Sequence, residues 1–407
     1  MPTDHMPADA GTLVARMLVT LFALYVAARL AGAAARRLRQ PAVVGEILIG
    51  VLIGPHALGL VRYRGLESFF ELFAELGVVF LLFVVGLESD PAGIWRVGRA
   101  AAAVASFGVV IPFTLGGVVA EVLGLTHPQA LFIGAALTAT SVGITARVFD
   151  DLGQLGSRVA SVVLGAAVLD DILGLSLLSI VQGVTGGRVS PVEILLLIVE
   201  AIAFVAVALL LGRPAVHRIT PRLAGGDSGV ARSPIFAFAI ILCLGFSALA
   251  AGIGLAAIVG AFFAGILFAG TEQAQPLRDA MQPIYQLLVP VFFIVMGLQV
   301  NLSPLTGWVA WGGALLIIVV AIAGKLIACG LSAMSLGRRE ALVVGIGMVP
   351  RGEVGIVVAL AALRTGIATD YLYSVIILMS IVTSIVAPPF LRLALARARD
   401  GRPEKAQ

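Results

Sequence analysis

The sequence predicts an all-α polytopic membrane protein whose two halves run through the bilayer in opposite directions. Three observations predict this: the composition, the sidedness of the basic residues, and a set of motifs that recur at one offset. Of 407 residues, 60% are hydrophobic and only 12% charged, with a mean hydropathy of +1.07. Soluble domains carry roughly 25% charge, so most of these side chains must be kept from water. Apolar runs of about 20 residues repeat along the chain, as spanning helices require. The short alternating segments of a β-barrel are absent. The 47 glycines suit close packing between membrane helices.

Thirteen spans are expected, roughly 11–32, 42–60, 69–88, 98–123, 129–149, 156–183, 190–212, 233–250, 253–270, 283–301, 306–333, 340–363 and 372–395. Span 1 follows "MPTDHMPADAGTL", which has no basic region and so argues for a retained first span rather than a cleaved signal. The connections are short, and the longest polar loop is expected at 213–233. Cys243 and Cys329 fall inside spans and read as small packing residues. Of the 27 basic residues, 19 lie in the loops after odd-numbered spans and in the C-terminal tail, and four (Arg62, Arg64, Arg188, Arg364) lie in the others. This places the N-terminus outside and the C-terminus in the cytoplasm. The net charge of +4 sits at span ends, so no nucleic-acid partner is expected.

The recurring motifs pair span 2 with span 9 ("VGEILIGVLIG", 44–54, with "VGAFFAGILFAG", 259–270). They pair span 3 with span 10 ("LLFVVGLE" with "FFIVMGLQ") and span 5 with span 12 ("SVGI" with "EVGI"). The offsets are 215, 211 and 212. Paired spans are seven apart, an odd number, so the copies cross the membrane in opposite senses. Such inverted repeats are the plan of many secondary transporters, here with span 7 as linker.

Within this frame, "AAVLDDILGL" puts Asp170 and Asp171 near the middle of span 6. An ionised carboxylate at that depth costs at least about 2.5–3.5 kcal/mol. Neighbours on a helix point about 100° apart, so the two can face different partners. The functional reading is a proton-titratable cation site; the alternative is a pair at a helix cap. Lys325 lies deep in span 11, one of only two lysines beside 25 arginines. Lysine, unlike arginine, loses its proton when buried. A salt bridge from Lys325 to Asp170 or Asp171 is expected, the alternative being a side chain that snorkels to the interface.

Spans 5 and 12 look interrupted. "ALTATSVGITARV" gathers Thr138, Thr140, Ser141 and Thr145 around a glycine; "GMVPRGEVGIV" sets Pro350, Arg351, Gly352 and Glu353 mid-span. These are corresponding spans of the repeat, as expected for crossed, discontinuous helices at a binding site. Arg351 follows the first half-helix and Glu353 opens the second, each with the sign that offsets the local helix dipole. Both therefore read as structural neutralisers rather than ligands. Thr140 and Ser141 read either as cation ligands or as satisfying broken backbone. Glu46 is expected as an interfacial cap, Asp150 and Asp151 as solvated, and Glu200 as structural or lipid-facing.

"QPAVVGEILIGVLIGP", "FLLFVVGLE", "TATSVGITARV", "GAAVLDDILGL" and "GMVPRGEVGIV" resemble the bacterial monovalent cation:proton antiporters, closest to the NapA-type Na+/H+ antiporters, over about 40–390. The resemblance implies an NhaA-like antiporter fold and a homodimer. It implies a dimerisation domain of spans 1–3 and 8–10 and a mobile core of spans 4–6 and 11–13. Along the chain these are 1–125 (helices 1–3 plus core helix 4), 126–185 (core helices 5–6 with the ion site) and 186–232 (linker helix and cytoplasmic loop). Then follow 233–303 (helices 8–10), 304–397 (core helices 11–13) and a tail at 398–407. It further implies that Asp171 is the principal Na+ ligand, that Asp170 pairs with Lys325, and that exchange is electrogenic. Potassium-efflux relatives carry Gln before the Asp and a cytoplasmic nucleotide-binding domain, and this chain has neither.

The expectation is thus a proton-coupled Na+ antiporter of the bacterial cytoplasmic membrane, no enzyme and without a cofactor, working by elevator-type alternating access for Na+ and pH homeostasis. Its partners would be Na+ (or K+ or Li+), protons and lipid. The same-class alternative is K+/H+ exchange. A cation channel is disfavoured by the buried acid–lysine pair and the repeat. An intramembrane aspartyl protease needs two carboxylates facing one another, and adjacent residues on one helix diverge too far.

Overall fold

The computed structural model describes residues 10–38, 40–61, 65–88, 91–185, 191–223, 234–301 and 303–399, and among them the regular structure is helical throughout. The first half contains α1 (Ala10–Arg37), α2 (Ala42–Ile53), α3 (Glu67–Glu88), α4 (Pro91–Val122), α5 (His127–Thr138), α6 (Val142–Asp151) and α7 (Arg158–Thr185). There follow α8 (Pro191–Val207), α9 (Arg213–Leu223), α10 (Pro234–Gly252), α11 (Ala257–Phe268) and α12 (Ala274–Leu298). The chain continues with α13 (Gly307–Ser332), α14 (Arg338–Gly347), α15 (Glu353–Arg364) and α16 (Asp370–Arg399). Among the described residues, ten segments are long and apolar enough to cross a membrane, α5 and α6 counting as one; α2 and α11 are shorter apolar helices.

Helix lies over every expected span, with two differences. α2 and α11 stop early, at Ile53 and Phe268. Gly54–Pro55 follows the first, with Gly59 at φ +62°, and Gly270 at φ +79° follows the second. Both are conformations that end a helix. The expected loop at 213–233 begins instead as α9, joined to α8 through a π-helical turn over Ala208–Gly212. Val216 and Thr220, four residues apart, are buried on one face of α9, so a helical period was hidden among the prolines and arginines. Residues 224–233 of that loop lie outside the described residues, as do Arg62, Arg64 and Arg188.

Packing sorts the helices into two sets. α3 lies along both α11 and α12, α2 packs on α1 and α12, and α10 packs on α11. In the other set α4 packs on α5, α7 and α13, while α14 and α15 rest on α16. The first set is built on glycines placed backbone to backbone. A Cβ on Gly50 would strike the Ile294 carbonyl, and one on Gly297 the Ile47 carbonyl. A Cβ on Gly265 would strike the Phe83 carbonyl, and one on Gly86 the Phe262 carbonyl. Gly50 and Gly265 are related by the 215 offset, and so are Ile47 and Phe262; Gly86 and Gly297 are related by 211, and so are Phe83 and Ile294. The α2–α12 contact therefore recurs, atom for atom, as the α11–α3 contact. A third pair repeats in the same way: Gly45 against the Ala31 carbonyl, and Gly260 against the Phe246 carbonyl.

Candidate functional site

The two interrupted spans meet at their breaks. α5 ends at Thr138 and α6 begins at Val142, with Ala139, Thr140 and Ser141 extended or irregular between them. α14 ends at Gly347 and α15 begins at Glu353. An interrupted helix exposes backbone groups that the membrane cannot hydrate, so they must find partners inside the protein. Here each break serves the other. The Ser141 amide donates to the Pro350 carbonyl at 2.8 Å. The Thr145 hydroxyl donates to the Gly347 carbonyl at 2.7 Å, and the Thr140 hydroxyl to the Met348 carbonyl at 3.4 Å.

Arg351 ties the crossing together and is wholly buried. Its guanidinium donates to the Val349 and Met348 carbonyls just beyond α14. It also donates to the Leu137 carbonyl near the end of α5 at 2.7 Å, and to the Ala321 carbonyl of α13 at 3.1 Å. The positive group thus sits where the carbonyl ends of both half-helices converge, although the sequence argument placed it at one. Thr383 and Ser384 of α16, which the sequence reading did not single out, fix its backbone: the Arg351 amide donates to the Thr383 hydroxyl, and the Ser384 hydroxyl donates to the Arg351 carbonyl. Gly352 is required beside them, because a Cβ there would meet the Ser141 hydroxyl at 2.5 Å. Glu353 opens α15, and its side chain lies outside the described residues.

Asp170 and Asp171 stand near the middle of the 28-residue α7, both buried. The Lys325 ammonium donates to Asp170 Oδ1 at 2.8 Å, and both side chains are 0% exposed. Lysine therefore does not reach the interface. Space for it is made on α4, where a Cβ on Gly108 would lie 3.3 Å from Lys325 Nζ and 2.8 Å from Cys329 Sγ. The Thr140 hydroxyl lies against the same Asp170 carboxylate. Asp171 turns elsewhere. It lines a cavity of about 710 Å³ whose walls include Glu71, Glu75 and Val78 of α3, Val295 and Met296 of α12, and Tyr373 of α16. The one-residue step along α7 thus separates the lysine-bound acid from the cavity-facing one.

Two expectations on charged residues need correcting. Glu46 is not an interfacial cap: it is 2% exposed and packs against Gly32 of α1. Asp150 is not a solvated charge. Asp150 accepts from Arg278 Nη2 at 3.0 Å and from the Tyr285 hydroxyl at 2.6 Å. Asp151 is exposed, as expected, and pairs with Arg147 one helical turn away at 3.0 Å. Arg147 and Asp151 stand at the i,i+4 spacing of a helical ion pair, whereas nothing in sequence marks the partners of Arg278, which lie on other helices.

Comparison with known proteins agrees with this architecture. The chain is 35% identical to the high-affinity Na+/H+ antiporter NhaS3 of Synechocystis sp., over 97% of this chain and 94% of that one. It is 32% identical to the Na+/H+-K+ antiporter GerN of Bacillus cereus, over 91% of this chain and 94% of that one. An Na+/H+ antiporter of Enterococcus hirae is also 32% identical, with 91% and 95% covered. In fold, the chain superposes on the sodium proton antiporter MjNhaP1 of Methanocaldococcus jannaschii with a TM-score of 0.68 at 20% identity, covering 93% of this chain and 99% of that one. Residues 22–397 match the family described as sodium/hydrogen exchanger, transmembrane; the chain belongs to the sodium/hydrogen exchanger family.

Proposed function

We propose that the chain is an electrogenic, proton-coupled Na+ antiporter of the bacterial cytoplasmic membrane, with Asp171 as the shared site for Na+ and H+. The observation that carries this reading is the pair of adjacent acids on α7, one held by Lys325 and the other lining a cavity. An Asp171 carrying neither proton nor cation would cross the membrane as a charge, at a cost of at least about 2.5–3.5 kcal/mol. Loading by either ion removes that cost, so the loaded forms move about a hundredfold faster or more, since about 1.4 kcal/mol is a factor of ten. Exchange follows from competition, without a separate coupling device. Asp170 and Lys325 supply the second exchangeable proton, and Thr140 and Ser141 supply hydroxyl oxygens near the crossing. Arg351 and Glu353 act as neutralisers of the half-helix ends.

The architecture under this proposal has thirteen spans in an NhaA-like inverted repeat, with the N-terminus outside and the C-terminus cytoplasmic. The recurring glycine contacts support it, because a two-fold relation exchanges α2–α12 with α11–α3. The glycine-packed set would be the dimerisation domain of a homodimer and the set around the crossing the mobile core. The name of GerN favours a second reading, in which K+ is also carried.

Proteoliposomes loaded with a pH dye test the proposal. Na+ should drive proton movement, and the apparent KM for Na+ should rise about tenfold for each unit fall in pH once one proton competes. A KM independent of pH, with rate alone falling, would refute a shared site. K+ and Li+ in the same assay decide selectivity.

A further inference from the structure

The cavity at Asp171 is open at one end of the boundary between the two helix sets. Toward the other end of the same boundary lies a charged network. On α3, Glu71 and Glu75 line the cavity, while Glu88 at the far end of the helix pairs with Arg278. Thirteen residues separate Glu75 from Glu88, about 20 Å of helix. On α12 the order is reversed: Val295, Met296 and Gln299 line the cavity, and Arg278 and Tyr285 belong to the network. Arg278 thus holds Glu88 of its own set and Asp150 of α6, the helix that continues the α5 span of the other set. The Tyr285 hydroxyl donates to the second Asp150 oxygen, and its ring lies 4.9 Å beneath the Arg147 guanidinium of α6. Glu46 of α2 faces Arg147 and Asp151 electrostatically from the glycine-packed set.

We infer that Asp150, Arg278 and Tyr285, flanked by Glu88 and Arg147, form a latch that closes the cytoplasmic end while Asp171 faces the opposite cavity, and that its release is a required step of transport. These are positioning residues and touch no transported ion. Three features suit the network to that task. It joins the two sets through side chains rather than backbone, so it parts without disturbing either. It is reached by water, Arg278 being 32% exposed, so its groups are hydrated when they separate. Arg278 keeps Glu88 when Asp150 leaves, so no arginine is stranded. The inference rests on the alternating-access reading, and its test is arranged to fail separately from it.

Purified protein in detergent carries the reporter Ala257→Cys, a half-buried position on the cavity wall, and its rate of modification by a polar maleimide is measured. The native Cys243 and Cys329 are both 0% exposed and serve as the background control. Asp150→Asn and Arg278→Gln should each lower the modification rate at least threefold, as the population leaves the state with this cavity open. The double variant should lower it by less than the two single effects combined, since both changes remove the Arg278–Asp150 contact. Tyr285→Phe, which keeps the ring under Arg147, should shift it in the same direction by less, and it serves alone if the charge variants do not accumulate. Exchange in liposomes should change in rate without a change in the pH dependence of KM. Unchanged modification in folded variants, or additive effects in the double variant, would overturn the latch. Failure of the unaltered protein to exchange Na+ for H+ would overturn the antiport reading and leave the labelling result to be judged by itself.

Discussion

Lys325→Met tests whether Asp170 is held as an ion by the lysine alone. Both partners are 0% exposed and 2.8 Å apart, so the change leaves a buried carboxylate without its ion-pair partner. Breaking a buried pair by removing one partner costs about 3–5 kcal/mol, whereas replacing both with neutral groups of similar size is often near neutral. The double variant Asp170→Asn with Lys325→Met should therefore recover most of the loss. Unfolding in mixed micelles, followed by tryptophan fluorescence, measures each stability, and the double-mutant cycle should give a coupling of about 3 kcal/mol. The single variant's loss should fall away at acid pH, where Asp170 takes up a proton and the site again holds no net charge. The reasoning is refuted if the single and double variants are equally destabilised, or if the single variant's loss is the same at acid and neutral pH.

Asp171→Asn should abolish Na+-driven proton movement in liposomes while leaving the thermal midpoint within a few degrees of the parent. Arg351→Gln should destabilise strongly, because the Leu137 and Val349 carbonyls each lose a donor at about 1–3 kcal/mol; Arg351→Lys, a point charge without the planar fork, should recover only part of the midpoint. Gly50→Ala and Gly265→Ala should cost similar amounts, about 1–3 kcal/mol each from overpacking, and unequal losses in the unfolding assay would count against the repeat. Gly108→Ala should displace Lys325 and shift the pH profile of exchange with the fold retained, as circular dichroism and transport would report together.

Much of this arrangement was legible in the sequence because the bilayer makes polar residues conspicuous. Asp170, Asp171 and Lys325 stood out against apolar runs, and Pro350 and Gly352 marked a break that only a crossing partner could satisfy. The choice between Asp170 and Asp171 as partner of Lys325 was not legible in the spacing, since a 100° step on one helix says nothing about which neighbour stands where; the family resemblance alone pointed to Asp170. Glu46 and Asp150 were misjudged for a related reason. Near a span end, a charge that meets a partner from another helix looks the same as one that meets water. α9 was missed because its two buried positions were outnumbered by arginine and proline.

The glycine contacts of α2, α3, α11 and α12 have a mechanical consequence. Helices that touch through carbonyl and Cα atoms have no side chains between them to change rotamer, so they cannot slide by repacking. Amides along Gly50, Gly86, Gly265 and Gly297 should be the last in the molecule to exchange with deuterium. Under the proposed alternating access, the bearing surface would lie where side chains intervene, along α6 and α16.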